Sequence, residues 1–377
     1  MATKQILSKV IDFLWLPVIT GLAVASLLLI FLPDLRDVEG ANHKDINSES
    51  QWLGPVSYSN AVKKAAPSVV NIYTKTTVKR SNHFPLKHPF FKRLKKQQSD
   101  RVQRSLGSGV IMDDSGFIVT NLHVVDNVDE ILILHYDGRQ IPATVVGTDP
   151  ETDLAVLKID ARGLQKISVG NSDQVEIGDV VLAIGNPFGM GQTVTQGIIS
   201  ATQRNGLNLT ILENYIQTDA DINPGNSGGA LIDAKGNLLG INAAVLNNEN
   251  SEGIGFAIPA NEVQKVLTHI IDHGRVIRGW LGLEAAKVTP AIANKQSLED
   301  TTGLLVTAVV KDGPTHVAGV LKDDIVTSIN GISVTDIHRS INQITKISPG
   351  QPIVLVVKRG TEYIEITAIA GERQTTN

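Results

Sequence analysis

From Ser68 onward the chain is a succession of short β-branched runs broken by turn residues, and this spacing restricts it to a mainly β fold. The runs are SVVNIYT from Ser68, SGVIM from Ser108, GFIVTN from Gly116, EILILHY from Glu130, ATVVGT from Ala143, LAVLKI from Leu154, DVVLAIG from Asp179 and VTQGIIS from Val194. Strands of this length with no helical pattern between them point to a barrel or sandwich rather than to alternating β and α units.

A helical signal follows in ANEVQKVLTHIIDHGRV from Ala260. There Val263, Val266, Leu267, Ile270 and Ile271 fall at helical spacing and Gly274 supplies a stop, which reads as a domain boundary. His269 and His273 are one helical turn apart with Asp272 beside them, yet the catalytic Glu and third ligand of a helical zinc motif are missing. Beyond the helix lies a compact α+β unit. It reads as a strand from Gly303, a short helix from Pro314, an Asn330-Gly331 hairpin turn, a helix from Ile337 and the hairpin PIVLVVKRGTEYIEITAIA.

The other end of the protein is different in kind. FLWLPVITGLAVASLLLIFL, from Phe13 to Leu32, carries no charge over the length an α-helix needs to cross a bilayer. Cleavage after Ala23-Val24-Ala25 would leave an apolar new terminus, so the segment reads as a retained anchor. Lys4 and Lys9 precede it and Asp34, Asp37 and Glu39 follow, which places the N-terminus in the cytoplasm and the remainder beyond the inner membrane. Polar residues from Arg36 to Tyr58 read as a tether. A basic insertion, HFPLKHPFFKRLKKQ from His83, reads as a solvated loop or a membrane or partner contact.

Composition then removes whole classes of function. With 34 Lys+Arg against 38 Asp+Glu the net charge is −4, so no bulk electrostatic case exists for nucleic acid as a partner. There are 0 cysteines, which rules out disulfides, thiolate metal sites and cysteine nucleophiles and leaves oxygen nucleophiles, acid/base groups and His/carboxylate metal sites.

QTDADINPGNSGGAL, from Gln217 to Leu231, sets Ser227 among glycines. Such a loop can expose a hydroxyl and aim successive N–H groups at one point, as an oxyanion site requires, although the same residues also build ordinary turns. A serine nucleophile needs a base and a group to orient that base. His123 ends an apolar strand in Thr120-Asn121-Leu122-His123-Val124-Val125, and Asp153 opens another in Thr152-Asp153-Leu154-Ala155-Val156-Leu157. The order His, Asp, Ser is that of the double-β-barrel serine proteases.

Five motifs in order make the resemblance specific: Thr-Asn-Leu-His-Val-Val, Thr-Asp-Leu-Ala-Val-Leu-Lys, Gly-Asn-Pro-Phe-Gly (185–189), Gly-Asn-Ser-Gly-Gly-Ala-Leu (225–231) and Gly-Ile-Gly-Phe-Ala-Ile-Pro (253–259). Together they are similar to the HtrA family of serine proteases from Tyr58 to Gly371. The resemblance implies a chymotrypsin-like double β-barrel followed by an α+β PDZ domain and preceded by one transmembrane helix. It implies a serine endopeptidase with Ser227 as nucleophile, His123 as general base and acid, Asp153 as the orienting carboxylate, and Gly225, Asn226 and Ser227 around the oxyanion. Ile222 would lie in the specificity pocket, with cleavage after small aliphatic residues. Asp221, one residue earlier, offers the competing reading of a pocket for basic side chains.

In the PDZ-like unit the peptide-carboxylate loop would be Gly279-Trp280-Leu281-Gly282-Leu283, which binds the C-terminus of a peptide by strand addition. No metal or organic cofactor is implied. The layout becomes 1–35 cytoplasmic tip and anchor, 36–58 linker, 59–274 protease, 275–371 PDZ and 372–377 tail. An anchor with a single PDZ unit resembles the membrane-tethered regulatory branch of the family. That branch implies a trimer, with contacts around Trp52 and Tyr58, activated by C-termini of misfolded outer-membrane proteins and cutting a membrane anti-sigma factor. Gln196 to Arg204 would be the loop that senses PDZ occupancy, with Arg204 as the switching residue and Asp324 its PDZ partner. The alternatives are a general periplasmic quality-control protease and a PDZ scaffold or chaperone with little protease activity.

Overall fold

The architecture is that of a computed structural model describing residues 15, 19–24, 26–27, 57–78, 101–186, 191–207, 209–223, 225–245, 253–296, 298 and 300–373. Two units result, Met1–Val56 and Ser57–Asn377. In the first, the described residues are helical and Trp15, Ile19, Leu22, Val24 and Leu27 are exposed. Among the described residues no helix is long and apolar enough to cross a membrane. Most of the expected anchor, the linker with Trp52, and the basic insertion from His83 lie outside the described residues.

The second unit begins with a closed barrel. Its strands are β1 (Val69–Val78), β2 (Arg101–Ile111), β3 (Phe117–Asn121), β4 (Glu130–Leu134), β5 (Gln140–Asp149) and β6 (Leu154–Ile159), in the order β1-β2-β3-β6-β5-β4 with β1 also paired to β4. Seven strands follow: β7 (Ser168–Val169), β8 (Val180–Gly185), β9 (Thr193–Arg204), β10 (Tyr215–Thr218), β11 (Ala230–Asp233), β12 (Asn237–Val245) and β13 (Gly255–Pro259). Here β11 pairs with both β8 and β12, closing a second barrel, and β7 adds parallel to β12.

The unbroken apolar run of β6 has a physical cause. Ala155, Leu157 and Ile159 fill the first barrel, while Leu154 and Val156 point the other way into the seam between barrels. There they join Leu182, Ile184, Ile241 and Phe256 of the second barrel. The expected helix forms over Ala260–His273 and lays Val263, Val266 and Ile270 on the same seam. Gly274 closes it with φ 74°, its N–H reaching Ile270 O at 2.8 Å. Gln196–Arg204, read in the sequence both within the VTQGIIS strand run and as a sensing loop, is strand: it forms the last three-quarters of β9, because β8 and β10 pair with it on either side.

The C-terminal unit carries β14 (Gly279–Trp280), β15 (Leu283–Lys287), β16 (Leu304–Val309), β17 (Ile325–Ile329), β18 (Ile332–Ser333), β19 (Pro352–Arg359), β20 (Glu362–Ile369) and β21 (Gly371–Glu372). The main sheet runs β15-β16-β17-β19-β20, which leaves β15 at an edge. Asn330 (φ 48°) and Gly331 (φ 77°) make the expected tight turn between β17 and β18, since both positions demand positive φ. A helix over Ile337–Thr345 is capped by the Asp336 carboxylate, which accepts the His338 and Arg339 N–H groups.

The joint between the two folded parts is ionic. Arg278 is buried and donates to both carboxylate oxygens of Asp149 at 2.7 and 2.6 Å, with Glu151 3.3 Å away. Glu151 in turn accepts from Arg373 at 2.7 Å.

Candidate active site

His123 sits in a single helical turn, Leu122–Val125, that follows β3 directly. Asp153 stands just before β6, the neighbour of β3 in the barrel, so the ladder between these strands brings the two side chains together. His123 Nδ1 lies 2.6 Å from Asp153 Oδ2, and the His123 N–H donates to Asp153 Oδ1 at 3.0 Å. A carboxylate only accepts, so the ring proton of this bond is on Nδ1 and Nε2 is left free to take a proton. The Asp153 backbone is held as well. Its carbonyl accepts from Leu122 N–H at 3.0 Å and from the Asn121 side-chain amide at 3.1 Å, which pins a non-glycine residue at φ 59°.

Ser227 comes from the second barrel, in the turn before β11. That turn is laced to the first barrel: the Ser108 N–H donates to Ser227 O at 2.9 Å and the Ser108 hydroxyl donates to Gly225 O at 2.7 Å. Gly228 (φ 80°) explains one of the glycines. A Cβ there would come within 2.2 Å of Ser108 O and 2.3 Å of Thr120 Oγ1. Ser227 is therefore seated against β2 and β3, close to the start of the His123 turn. Among the described residues no hydrogen bond joins Ser227 Oγ to His123.

Amides around Ser227 divide into two sets. Asn226 N–H donates to Asn223 O, Gly228 N–H to Asn242 O and Gly229 N–H to Asn226 O. The N–H groups of Gly225 and Ser227 donate to no acceptor among the described residues, so they are the pair available to a developing oxyanion. Asn226 is corrected from that set: its side chain bonds Asp221 O and the Asn223 N–H, and it braces the loop.

Ile222 is buried in the second-barrel core and packs against Gly255, whose hypothetical Cβ would meet Ile222 Cδ1 at 2.8 Å. Asp221 is exposed. Burial first, and then the Asp153 and Glu213 charges, push the Tyr215 phenol up to about 12 against its hydrogen bond with Thr210, so it stays neutral.

The expected Arg204–Asp324 partnership is not formed. Arg204 is exposed and donates to Gln217 at 2.7 Å. Asp324 is buried, held by the Arg359 guanidinium through two bonds at 2.8 and 2.7 Å and by the Leu321 N–H. A bidentate arginine within its own fold outcompetes a distant one. His269 likewise accepts the Ile277 N–H at 3.3 Å, a structural bond at the end of its helix.

A second site lies in the C-terminal unit. A cavity of about 330 Å³ opens between edge strand β15 and the helix Ile337–Thr345, lined by Leu281, Ala285, Leu304, Ile341 and Ile344 among others. All five residues from Gly279 to Leu283 border it, and the Leu281 and Gly282 N–H groups donate to no acceptor among the described residues. Leu281 O and Gly282 O are tied to Thr315 and Val310, which turns the loop's carbonyls away from the cavity. An edge strand, apolar pockets and free amides at one end are what an extended peptide with a terminal carboxylate requires. Two features went unforeseen: the Arg278–Asp149–Glu151 joint, and Ser108, although glycines on both sides of Ser108 mark it much as they mark Ser227.

The model of the trypsin-like peptidase domain matches residues 107–241, and that of the PDZ domain matches residues 279–369. Serine endoprotease DegS of Escherichia coli K12 is 40% identical over 362 residues, covering 95% of this chain and 97% of that protein. The chain belongs to the HtrA family of serine endoproteases. Periplasmic pH-dependent serine endoprotease DegQ of the same organism is 38% identical over 314 residues, covering 82% of this HtrA protease and 69% of DegQ. Among solved structures, the HtrA-type protease AlgW with a decapeptide matches at TM-score 0.74 and 48% identity, covering 85% of this protein and 100% of that one. A serine endoprotease from Yersinia pestis matches at TM-score 0.63 and 40% identity, with the same coverage. The double barrel and PDZ unit of this HtrA protease are thus those of a serine endopeptidase.

Proposed function

We propose that this serine endoprotease is a periplasmic enzyme, tethered to the inner membrane by residues 1–35 and the 36–58 linker, whose PDZ groove gates its protease site. In this reading 59–274 are the protease, 275–371 the PDZ domain, and a homotrimer is the working form. The observation that carries it is the conjunction within one folded unit of the His123–Asp153 pair and an apolar groove with free amides at its end. The periplasmic location is supported by relatives such as DegQ, whose name states it.

Ser227 Oγ attacks the scissile carbonyl carbon while His123 Nε2 takes its proton. Asp153 stabilises the imidazolium so formed, and the Gly225 and Ser227 N–H groups bind the oxyanion. Collapse breaks the C–N bond as His123 returns its proton to the leaving amine, and water then hydrolyses the acyl-enzyme by the same path. Without a Ser227–His123 hydrogen bond the pair is not poised for transfer. A groove ligand that binds the poised arrangement more tightly would shift the population toward it.

The substrate we assign is a membrane anti-sigma factor, cut at site 1 to start envelope stress signalling, and the ligands are C-termini of misfolded outer-membrane proteins. The full-length protein in detergent, mixed with an anti-sigma periplasmic domain and with casein, each with and without peptides ending in a hydrophobic residue, tests this. Cutting of the anti-sigma domain that requires peptide and is lost in Ser227→Ala supports it. Peptide-independent degradation of casein would favour a quality-control protease, and peptide binding without cleavage a scaffold. Release of the protein from membranes by alkaline carbonate would remove the anchor.

A further inference from the structure

Ser108 is fully buried, and four hydrogen bonds converge on it. Its N–H donates to Ser227 O at 2.9 Å and its carbonyl accepts from Thr120 Oγ1 at 2.7 Å. Its hydroxyl donates to Gly225 O at 2.7 Å and accepts the Asn186 N–H at 3.0 Å. Three segments therefore meet at one side chain: β2, the end of β8 and the turn that carries Ser227. Packing leaves no slack around it, for a Cβ on Gly185 would come within 3.0 Å of Ser108 Oγ and 2.4 Å of the Asn226 Cβ.

The two unengaged amides belong to the peptide planes on either side of the 225–226 peptide. The Gly225 carbonyl is the oxygen of that central plane, and the Ser108 hydroxyl is the group that holds it. Glycine at 225, with φ 106°, has no Cβ to resist rotation of this plane, so its orientation is set by two hydrogen bonds, the Ser108 hydroxyl to Gly225 O at 2.7 Å and the Asn226 N–H to Asn223 O at 3.1 Å. Turning it would change the angle between the two N–H groups and hence the point where they converge.

We propose that Ser108 is a positioning residue for the oxyanion-binding amides: its hydroxyl locks the 225–226 peptide plane so that the Gly225 and Ser227 N–H groups converge on one oxygen. The proposal rests on the assignment of Ser227 as nucleophile and of those amides as the oxyanion site. Loss of the hydroxyl leaves Gly225 O without a donor and the Asn186 N–H without an acceptor. A merely stabilising serine would lower melting temperature and leave kcat of the folded fraction intact. A positioning serine weakens binding of tetrahedral species more than binding of substrate.

The test uses the full-length protein with a peptide ending in a hydrophobic residue, as wild type, Ser108→Ala, Ser108→Cys and Ser227→Ala. It measures kcat, KM, melting temperature and affinity for a peptide boronate that forms a tetrahedral adduct. Ser108→Ala should lose roughly 10- to 100-fold in kcat, less than the direct loss of an oxyanion donor, with KM nearly unchanged and boronate affinity reduced by a similar factor. Ser108→Cys, a weak donor in the same place, should fall between. Wild-type kcat and boronate affinity in folded Ser108→Ala overturn the proposal, as does equal weakening of boronate and substrate. Should Ser108→Ala fail to fold, Ser108→Cys carries the same readouts: wild-type kcat and boronate affinity in it also overturn the proposal. Activity surviving in Ser227→Ala would instead sink the nucleophile assignment; an inactive Ser227→Ala beside an unaffected Ser108→Ala sinks only the role given to Ser108.

Discussion

Asp153 grips His123 at two atoms, with Oδ2 2.6 Å from ring Nδ1 and Oδ1 accepting the His123 N–H at 3.0 Å. One carboxylate thus sets the tautomer of the ring and the position of its backbone. Asparagine keeps the shape and tolerates φ 59°, but its amide nitrogen can donate to Nδ1 and stabilise the wrong tautomer. Asp153→Asn is expected to lower kcat by about 10⁴-fold with little change in melting temperature. Peptide-activated cleavage by the full-length protein measures it, and wild-type turnover would refute the pairing's role.

Arg278 joins the two folded parts through a buried pair with Asp149, its side chain 7% exposed against 2% for the aspartate. Removing one partner leaves the other buried and uncompensated, so Arg278→Ala should destabilise the protein by about 3–5 kcal/mol. Replacing Arg278 and Asp149 together with apolar residues should cost less, because buried Glu151 then keeps Arg373 as its partner at 2.7 Å. Denaturant unfolding of the single and double variants separates these cases.

Ile341 lines the groove beside β15. A charge there would be placed against the apolar side chain of an incoming peptide. Ile341→Glu should weaken a peptide with a hydrophobic C-terminus by about 10- to 100-fold, the equivalent of one buried aliphatic side chain. Fluorescence anisotropy with a labelled peptide checks this, and unchanged affinity would place the peptide elsewhere.

Asp137 lies on the β4–β5 hairpin between His135 and Arg139. Desolvation would raise its pKa, yet hydrogen bonds from His135 and from the Arg139 backbone and side chain outweigh it and hold the carboxyl at about 2, below its ordinary 3.8. A lowered carboxyl pKa stabilises the fold fully above the unfolded value, and the contribution disappears as pH falls from about 4 through about 2. Asp137→Asn should be less stable than wild type at neutral pH and show a shallower fall over that window. Melting temperature against pH, run on both proteins, gives the comparison.

Much of this molecule was legible in the amino-acid sequence because the relevant signals are local. The β-branched runs, the positive-φ turn at Asn330-Gly331 and the helix from Ala260 to its glycine stop each depend on a few neighbouring residues, and each formed where expected. His123, Asp153 and Ser227 stand out in the sequence because each sits in a short motif, and of the three the structure brings His123 and Asp153 to 2.6 Å. Relations between residues far apart along the protein were not open to the same reading. Arg204 had a competitor for Asp324 in Arg359, and the strand expected from Val194 ran on to Arg204 because β8 and β10 lay beside it. Ser108, Gly225 and Asn186 meet only after two barrels close and dock. Hydrogen-bond partners at such distances are chosen by which surfaces fold against each other. The sequence determined the elements and the chemistry they carry, whereas tertiary structure decided which amides stay free and which charges are already taken, because the partner of a buried polar group is whatever happens to pack against it.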